Sequence, residues 1–135
     1  MQFDDVISGR RSIRGYKPDP VPKALIEEIL ALAMRAPSSM NTQPWNFYVI
    51  TGEPLNRIRA GNTERMVAGV PQSREFRTGP AFAGQHRERQ IGVAKQLFAA
   101  MGIARDDAEK RQDWVLRGFR QFDAPVCVII TYDRV

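Results

Sequence analysis

The sequence predicts an α+β fold in which helices lie on both faces of a sheet. Residues 125–132 predict a strand that is apolar on both faces, and burial on both sides is the simplest explanation of such a run. Residues 46–51 are rich in β-branched and aromatic side chains and predict a second strand. Residues 22–33 instead place their apolar side chains at helical spacing, so the chain also contains amphipathic helices.

The N-terminal third predicts two helices. In residues 3–8, Phe3, Val6 and Ile7 recur at helical spacing, and Gly9 supplies a stop. The second helix has Pro22 at its first position, where proline is well tolerated. Its apolar stripe consists of Leu25, Ile26, Ile29, Leu30 and Ala33. Pro37 ends this helix, and the loop that follows leads through Trp45 into the strand at 46–51.

Three more helices are expected before the last strand. Residues 53–66 continue a helical period through Leu55 and Ile58, and residues 88–101 form another helix that Gly102 stops. Asp106 or Asp107 caps a helix that carries Trp114, Val115 and Phe119. Residues 67–87 show neither a helical nor a strand period, and an irregular stretch of that length is typical of a lid or a mobile segment.

Composition indicates one domain, residues 1–135. The 20 basic and 15 acidic side chains give a net charge of +5, which leaves a nucleic-acid-binding module open as an alternative. The arginines are scattered, however, and no nucleic-acid-binding signature accompanies them.

One cysteine and one histidine exclude an internal disulfide and a zinc cluster. The sequence has neither a membrane-span-length apolar run nor a signal-peptide pattern, so we expect a cytoplasmic protein.

Two short motifs flank the helix at 22–33. The first, R-R-S-x-R, places Arg10, Arg11, Ser12 and Arg14 together, and guanidinium groups are the donors that suit a terminal phosphate. The alternative is a solvated basic turn. The second, residues 36–45, joins hydroxyl side chains and two amides to two prolines in a stiff loop of neutral donors and acceptors, which suits the polar edge of a heterocycle. Asn41 and Gln43 could instead only cap the neighbouring helix and strand.

These motifs, in this order and at this separation, resemble the start of the FMN-dependent nitroreductase family. The run Phe122-Asp123-Ala124-Pro125 before the last strand is also similar to that family. The resemblance covers most of the chain and is loose over residues 52–87. It implies a three-layer α/β/α sandwich with a central, mainly antiparallel sheet.

The resemblance also implies an oxidoreductase that passes a hydride from NAD(P)H through FMN to a nitroaromatic, quinone or similar small acceptor. The protein is then a homodimer with FMN at the subunit interface. Phosphate and ribityl oxygens would be held by Arg10, Arg11, Ser12 and Arg14 of one subunit. The isoalloxazine would be approached by Pro37, Ser38, Ser39, Asn41 and, on weaker grounds, Gln43 of the other subunit. No side chain is assigned as a catalytic acid or base, because the chemistry resides in the cofactor.

Several expectations qualify this interpretation. Family members continue well beyond Val135, so the resemblance implies that the domain is incomplete at its C-terminus, and that the last strand pairs with strands from further along or from another chain. An FMN-binding protein of the same fold without turnover is the main alternative. Trp45 and Cys127 are interpreted as packed residues and His86 as a surface histidine.

Overall fold

Five α-helices and two β-strands make up the part of the chain that the computed structural model describes, residues 2–71, 73 and 79–132. Two 3-10 turns, Ser39–Asn41 and Gln121–Asp123, lie just before the two strands. The elements in chain order are α1 (Phe3–Gly9), α2 (Lys23–Ala33), β1 (Trp45–Thr51), α3 (Gly52–Val67), α4 (Gly84–Ala100), α5 (Ala108–Phe119) and β2 (Val126–Tyr132).

The two strands pair with each other to form an antiparallel sheet. The register is continuous from Trp45 opposite Tyr132 to Thr51 opposite Val126, so all seven residues of each strand are paired. Aromatic and β-branched side chains face one another across the pairing, for example Phe47 beside Ile130, and such pairs stabilise a sheet. The sequence predicted both strands but did not predict that they pair with each other.

Helix α3 connects the sheet to the rest of the described structure. It follows β1 directly and packs against both strands and against α5. Leu55, in its first turn, is only 1% exposed, and it is the one fully buried side chain among the described residues. Phe47 in β1 and Ile58 in α3 are half-buried.

Two polar side chains of α3 bind the backbone at the end of α5. Arg59 donates from Nε to the carbonyl of Arg120 at 3.0 Å and from Nη2 to the carbonyl of Ala124. Asn62 donates from Nδ2 to the carbonyl of Phe119 at 3.2 Å. Carbonyls at the end of a helix have no partner inside the helix, and these bonds satisfy them.

The turn that these bonds hold is conformationally unusual. Gln121, Phe122 and Asp123 have φ values of 52°, 53° and 56°, and each left-handed residue that is not glycine costs about 1–2 kcal/mol. Arg120 also pairs with Asp123 at 3.2 Å and Asp113 at 3.3 Å. Burial disfavours its charged form, but these hydrogen bonds outweigh that effect and raise the pKa of Arg120. The segment that leads into β2 is therefore fixed by ionic and backbone contacts.

Helix α5 begins at the predicted cap. The Asp107 carboxylate accepts a hydrogen bond from the backbone N–H of Lys110 at 3.0 Å and also pairs with its ammonium group. Both contacts lower the pKa of Asp107 below its usual 3.8. The pKa of Asp107 is lower in the folded state than in the unfolded state, so this carboxylate stabilises the fold at pH values above its usual pKa. The stabilisation is lost as the pH falls through the folded-state pKa.

The structure corrects three predictions about individual elements. Helix α4 begins at Gly84, four residues before the predicted start, so residues 84–87 are helical although 67–87 was expected to be irregular. The rest of that expectation falls partly on residues 72 and 74–78, which lie outside the described residues. Pro22 is the N-cap of α2 rather than its first helical residue, and β1 begins one residue early, at Trp45.

The expected cover on both faces of β2 is not found within the described chain. Val128 is 40% exposed, Ile130 is 62% exposed and Tyr132 is 54% exposed. The reason is geometric, because α3 is the described helix that packs on both strands and it reaches only part of their length. The mixed helix and strand content and the antiparallel sheet are confirmed. The single domain 1–135 and its continuation stay predictions.

We predict that Arg59→Met lowers the free energy of unfolding by about 1.5–3 kcal/mol, since charged hydrogen bonds to two carbonyls are lost. Arg59→Lys should not restore the loss, because an ammonium group lacks the planar fork that reaches two acceptors. Urea unfolding measures both effects. Arg57→Met, at an exposed position of the same helix, is the matched control and should change stability by less than about 0.5 kcal/mol. Equal stabilities for the Arg59 and Arg57 variants would show that the contact is unimportant.

Candidate functional site

The arginine motif lies in an extended, exposed segment directly after α1. Arg11 turns back toward the helix end, and its Nη1 donates to the carbonyls of Ser8 at 2.8 Å and Arg10 at 2.9 Å. Arg10 Nη1 lies 3.4 Å from Ser12 Oγ. A guanidinium and a hydroxyl are thus placed side by side at the surface, where both can donate to one anion.

A side chain from α5 binds the end of this motif. Arg117 donates from Nη2 to the carbonyl of Arg14 at 3.1 Å, across 103 residues of sequence. The Arg117 guanidinium also lies over the Trp114 ring, 5.5 Å from its centroid. Tyr16 adds a local bond from its hydroxyl to the carbonyl of Ile13 at 3.1 Å. The position of Arg14 is therefore set partly by α5, which sequence patterns gave no reason to expect, because Arg117 looks like an ordinary polar residue of an amphipathic helix.

The second motif forms a tight loop that its own polar groups hold together. Ser38 Oγ accepts the backbone N–H of Gln43 at 2.9 Å, and the Ser38 carbonyl accepts the backbone N–H of Asn41 at 3.0 Å. The carbonyl of Ser39 accepts both the backbone N–H and the hydroxyl of Thr42, at 3.1 Å and 3.0 Å. The side-chain bonds to the backbone that hold the loop thus come from Ser38 and Thr42, and not from Asn41 and Gln43, which the sequence offered as caps of the neighbouring helix and strand.

The loop backbone nevertheless directs side chains into solvent. Met40, Asn41 and Gln43 have φ values of 50°, 56° and 46°, in the left-handed region. The Gln43 amide donates to Asn41 Oδ1 at 3.2 Å, which links the two amides. Both residues stay exposed, and Met40 is 96% exposed. Strained, exposed polar residues of this kind are typical of binding loops.

Within residues 2–71, 73 and 79–132, no hydrogen bond or ion pair joins the arginine motif to the loop at 38–43. The described ion pairs lie elsewhere, at Lys23–Glu27, Lys110–Asp107 and around Arg120. The guanidinium groups of Arg10, Arg11 and Arg14 therefore face no carboxylate partner among the described residues. The described part of the chain thus presents a cationic motif and a neutral loop that share no hydrogen bond or ion pair.

Other candidate residues occupy the surroundings that the sequence indicated. Trp45 and Cys127 are half-buried in the two strands, and His86 is exposed. In the part of the chain that the structure describes, no three His, Cys, Asp or Glu side chains are grouped so that they could hold a metal ion. The described helices also include none long and apolar enough to cross a membrane.

Comparison with known proteins gives one consistent family. The model of the nitroreductase family matches residues 7–135. A nitrobenzene nitroreductase of Ectopseudomonas oleovorans is 42% identical over 135 residues, and a chloronitrobenzene nitroreductase of Comamonas testosteroni is 40% identical over 135 residues. Each match covers 98% of this chain and 59% of the relative, so the chain spans about three-fifths of the length of these curated relatives.

A solved structure agrees with the sequence relatives. The FMN-dependent nitroreductase NfnB from Mycobacterium smegmatis, determined in complex with NADPH, superimposes with a TM-score of 0.83 at 31% sequence identity. The superposition covers 96% of this chain and 58% of that chain. The predicted nitroreductase fold is thereby confirmed. With the family model matched over residues 7–135 and relatives at 40% and 42% identity, this chain belongs to the nitroreductase family.

Proposed function

We propose that this protein is an FMN-dependent oxidoreductase that uses NAD(P)H to reduce a nitroaromatic, a quinone or a similar small acceptor. The observation that carries the proposal is the exposed arginine motif, in which Arg10 Nη1 lies 3.4 Å from Ser12 Oγ and neither Arg10 nor Arg14 pairs with a described carboxylate. Relatives whose names state reduction of nitroaromatic compounds, and a structural neighbour described as FMN-dependent with NADPH, support it.

The residues fit the parts of FMN. The terminal phosphate is a compact dianion, and Arg10 with Ser12 at 3.4 Å supplies a charged and a neutral donor for it. Arg14 adds a second guanidinium on a backbone that Arg117 holds. Arg11 contributes positive charge although its Nη1 is bound to the carbonyls of Ser8 and Arg10. The isoalloxazine edge needs neutral donors and acceptors, which the loop at 37–43 presents.

FMN, when bound, supplies the hydride-accepting and hydride-donating chemistry. The protein side chains then bind and orient. The arginine motif fixes the phosphate end, and the loop at 37–43 contacts the ring edge through Pro37, Ser38, Ser39, Asn41 and Gln43. We assign no side chain as a catalytic acid or base, since none of these groups needs to exchange a proton to hold the cofactor.

We further propose that two copies of the chain complete each FMN site. The support is the separation of the two halves, because the described contacts of one chain do not bring the loop at 38–43 to the arginine motif. In a homodimer, the loop of one subunit meets the arginine motif of the other. The exposed apolar side chains of β2, including Ile130 at 62%, offer surface that association would bury. We place the dimer in the cytoplasm, where NAD(P)H is available.

The first test is turnover. The FMN-loaded protein should oxidise NADPH slowly alone and faster when nitrobenzene is added, because one pocket over the flavin serves the reductant and then the acceptor. Absorbance at the NADPH band measures the rate, and chromatography detects the reduced product. Bound FMN with no acceptor-dependent oxidation of NADPH or NADH would instead indicate the alternative, a flavin-binding protein without reductase turnover.

The phosphate site can be tested by substitution. Arg10→Ala and Arg14→Ala should each weaken FMN binding by about 1.5–3 kcal/mol, because each removes a charged hydrogen bond to phosphate. Quenching of flavin fluorescence during titration gives the dissociation constants. Arg35→Ala, at an exposed position after α2, is the control for loss of positive charge and should bind FMN normally. Unchanged affinity in both motif variants would exclude the assignment.

A mixed dimer tests the shared site. One subunit carries Arg10→Ala with Arg14→Ala, and the other carries Ser39→Ala with Asn41→Ala. Two affinity tags select the mixed species. If each site uses the motif of one subunit and the loop of the other, one of the two sites is intact, and the mixed dimer binds one FMN with wild-type affinity. If both halves of a site come from the same chain, both sites are impaired and no high-affinity FMN is found.

A further inference from the structure

An open groove of about 760 Å³ runs along α4. Its floor consists of side chains from one face of the helix, and residues 101–107 and the start of α5 form the opposite wall. We call it the α4 groove. Its lining residues are Arg87, Gln90, Ile91, Ala94, Lys95, Phe98, Ala99, Ile103, Arg105 and Arg111. Its volume lies in the range of small-molecule sites, which is about 300–1,000 Å³. The motifs assigned to FMN do not contribute to it.

The charge of the groove has one sign. Four lining residues are cationic, Arg87, Lys95, Arg105 and Arg111, and no lining residue is acidic. The ion pairs of the described chain include none of these four. Like charges gathered around one concave surface repel each other, and a bound anion removes that repulsion.

The floor between these charges is apolar. Ile91 is 40% exposed, while Ala94, Phe98 and Ile103 are half-buried. Helix α4 is not among the elements that pack on the sheet or on α3, so this apolar strip is not covered by the described core. A ligand with a flat apolar body would cover it.

One cation is already oriented for such a ligand. The Arg111 guanidinium lies over the Phe98 ring, 4.3 Å from the ring centroid. A guanidinium held against a ring has little freedom to lose on binding, and its edge N–H groups stay available as donors. Arg87 is also held, because its Nη1 donates to Gln90 Oε1 at 2.6 Å. Two of the four cations are thus restrained before a ligand arrives.

The cations lie at different points along the groove and on both of its walls. Arg87 and Lys95 are eight residues apart on α4, and that separation corresponds to about 12 Å along the helix axis. Arg105 and Arg111 come from the other wall, near Phe98. An anion attached to a ring can place its ring on the apolar floor while its charged group reaches cations of both walls.

We propose that the α4 groove binds a planar organic anion, with the ring on the floor at Ile91 and Phe98 and the anionic group between Lys95, Arg105 and Arg111. Two sources share this chemistry, an aryl carboxylate and the phosphorylated adenosine end of a nucleotide. The site is separate from the FMN assignment and requires no turnover, so its failure and a failure of the oxidoreductase proposal are distinguishable.

Calorimetric titration of the protein distinguishes the sources. Benzoate is compared with its neutral counterpart benzamide, and adenosine 2′,5′-bisphosphate with neutral adenosine. We expect at least one anionic probe to bind about tenfold or more tightly than its neutral counterpart, the scale of one charged hydrogen bond. Preference for benzoate identifies an aryl carboxylate site, and preference for the bisphosphate identifies a nucleotide site. Absence of binding by both anions, as expected if a polypeptide segment covers the groove, overturns the proposal.

Substitutions locate the binding. Arg105→Gln and Lys95→Gln should each weaken the preferred anion about fivefold to tenfold, because each removes a charge at the groove. Both positions are exposed, so folding should be unaffected. The matched control is Arg89→Gln on the same helix, since Arg89 bonds to Gln85 at 3.1 Å and does not line the groove. An equal loss of affinity in the control would show general charge attraction and refute a defined site.

Discussion

The pairing of β1 with β2 is the constraint on which the rest of this structure depends. It joins segments that are separated by the 74 residues between Thr51 and Val126, and it holds all seven residues of each strand in register. Closing a loop of that length is entropically unfavourable, so the contacts around it must compensate. Helix α3 does so by packing on both strands and burying Leu55. The loop at 38–43 ends where β1 begins, and its position is therefore fixed by the sheet.

Arginine side chains act twice as links between distant parts of the chain. Arg59 binds the carbonyls of Arg120 and Ala124 and holds a turn of three left-handed residues before β2. Arg117 binds the carbonyl of Arg14 and links the arginine motif to α5. The planar guanidinium suits this task because it carries several donors in a fixed geometry and stays charged. The high arginine content of the chain is thus partly structural, which weakens the case for a nucleic-acid-binding surface.

The single chain leaves much of its apolar and cationic surface unused. β2 exposes Ile130 and Tyr132, no described hydrogen bond or ion pair joins the arginine motif to the loop at 38–43, and the α4 groove has four cationic and no acidic lining residues. We propose a different occupant for each of these features: a second subunit, FMN, or a planar anion.

The sequence by itself determined the family and the local elements. The R-R-S-x-R motif and the loop at 36–45 can be recognised from residue identity alone, without knowledge of packing. The helix cap at Asp107 and the helix stops at Gly9 and Gly102 depend on residues within one or two turns. The predictions of the family, the cap and the stops were confirmed, because short-range preferences and periodicity depend on adjacent residues, whereas the assignment of the two motifs to FMN stays a prediction. The start of α4 was wrong by four residues, because residues 84–87 are polar and carry no periodic signal even though they continue the helix.

Only the tertiary structure decided which distant groups meet. The register of β1 with β2, the bonds from Arg59 and Arg117, and the gathering of Arg87, Lys95, Arg105 and Arg111 around one apolar floor join residues that are far apart or unremarkable along the chain. A pattern in sequence reports the face on which a side chain lies, not the partner it meets. The partner depends on how whole helices and strands pack. Many arrangements are compatible with the same local propensities, and small differences in packing angle and strand register decide which one forms.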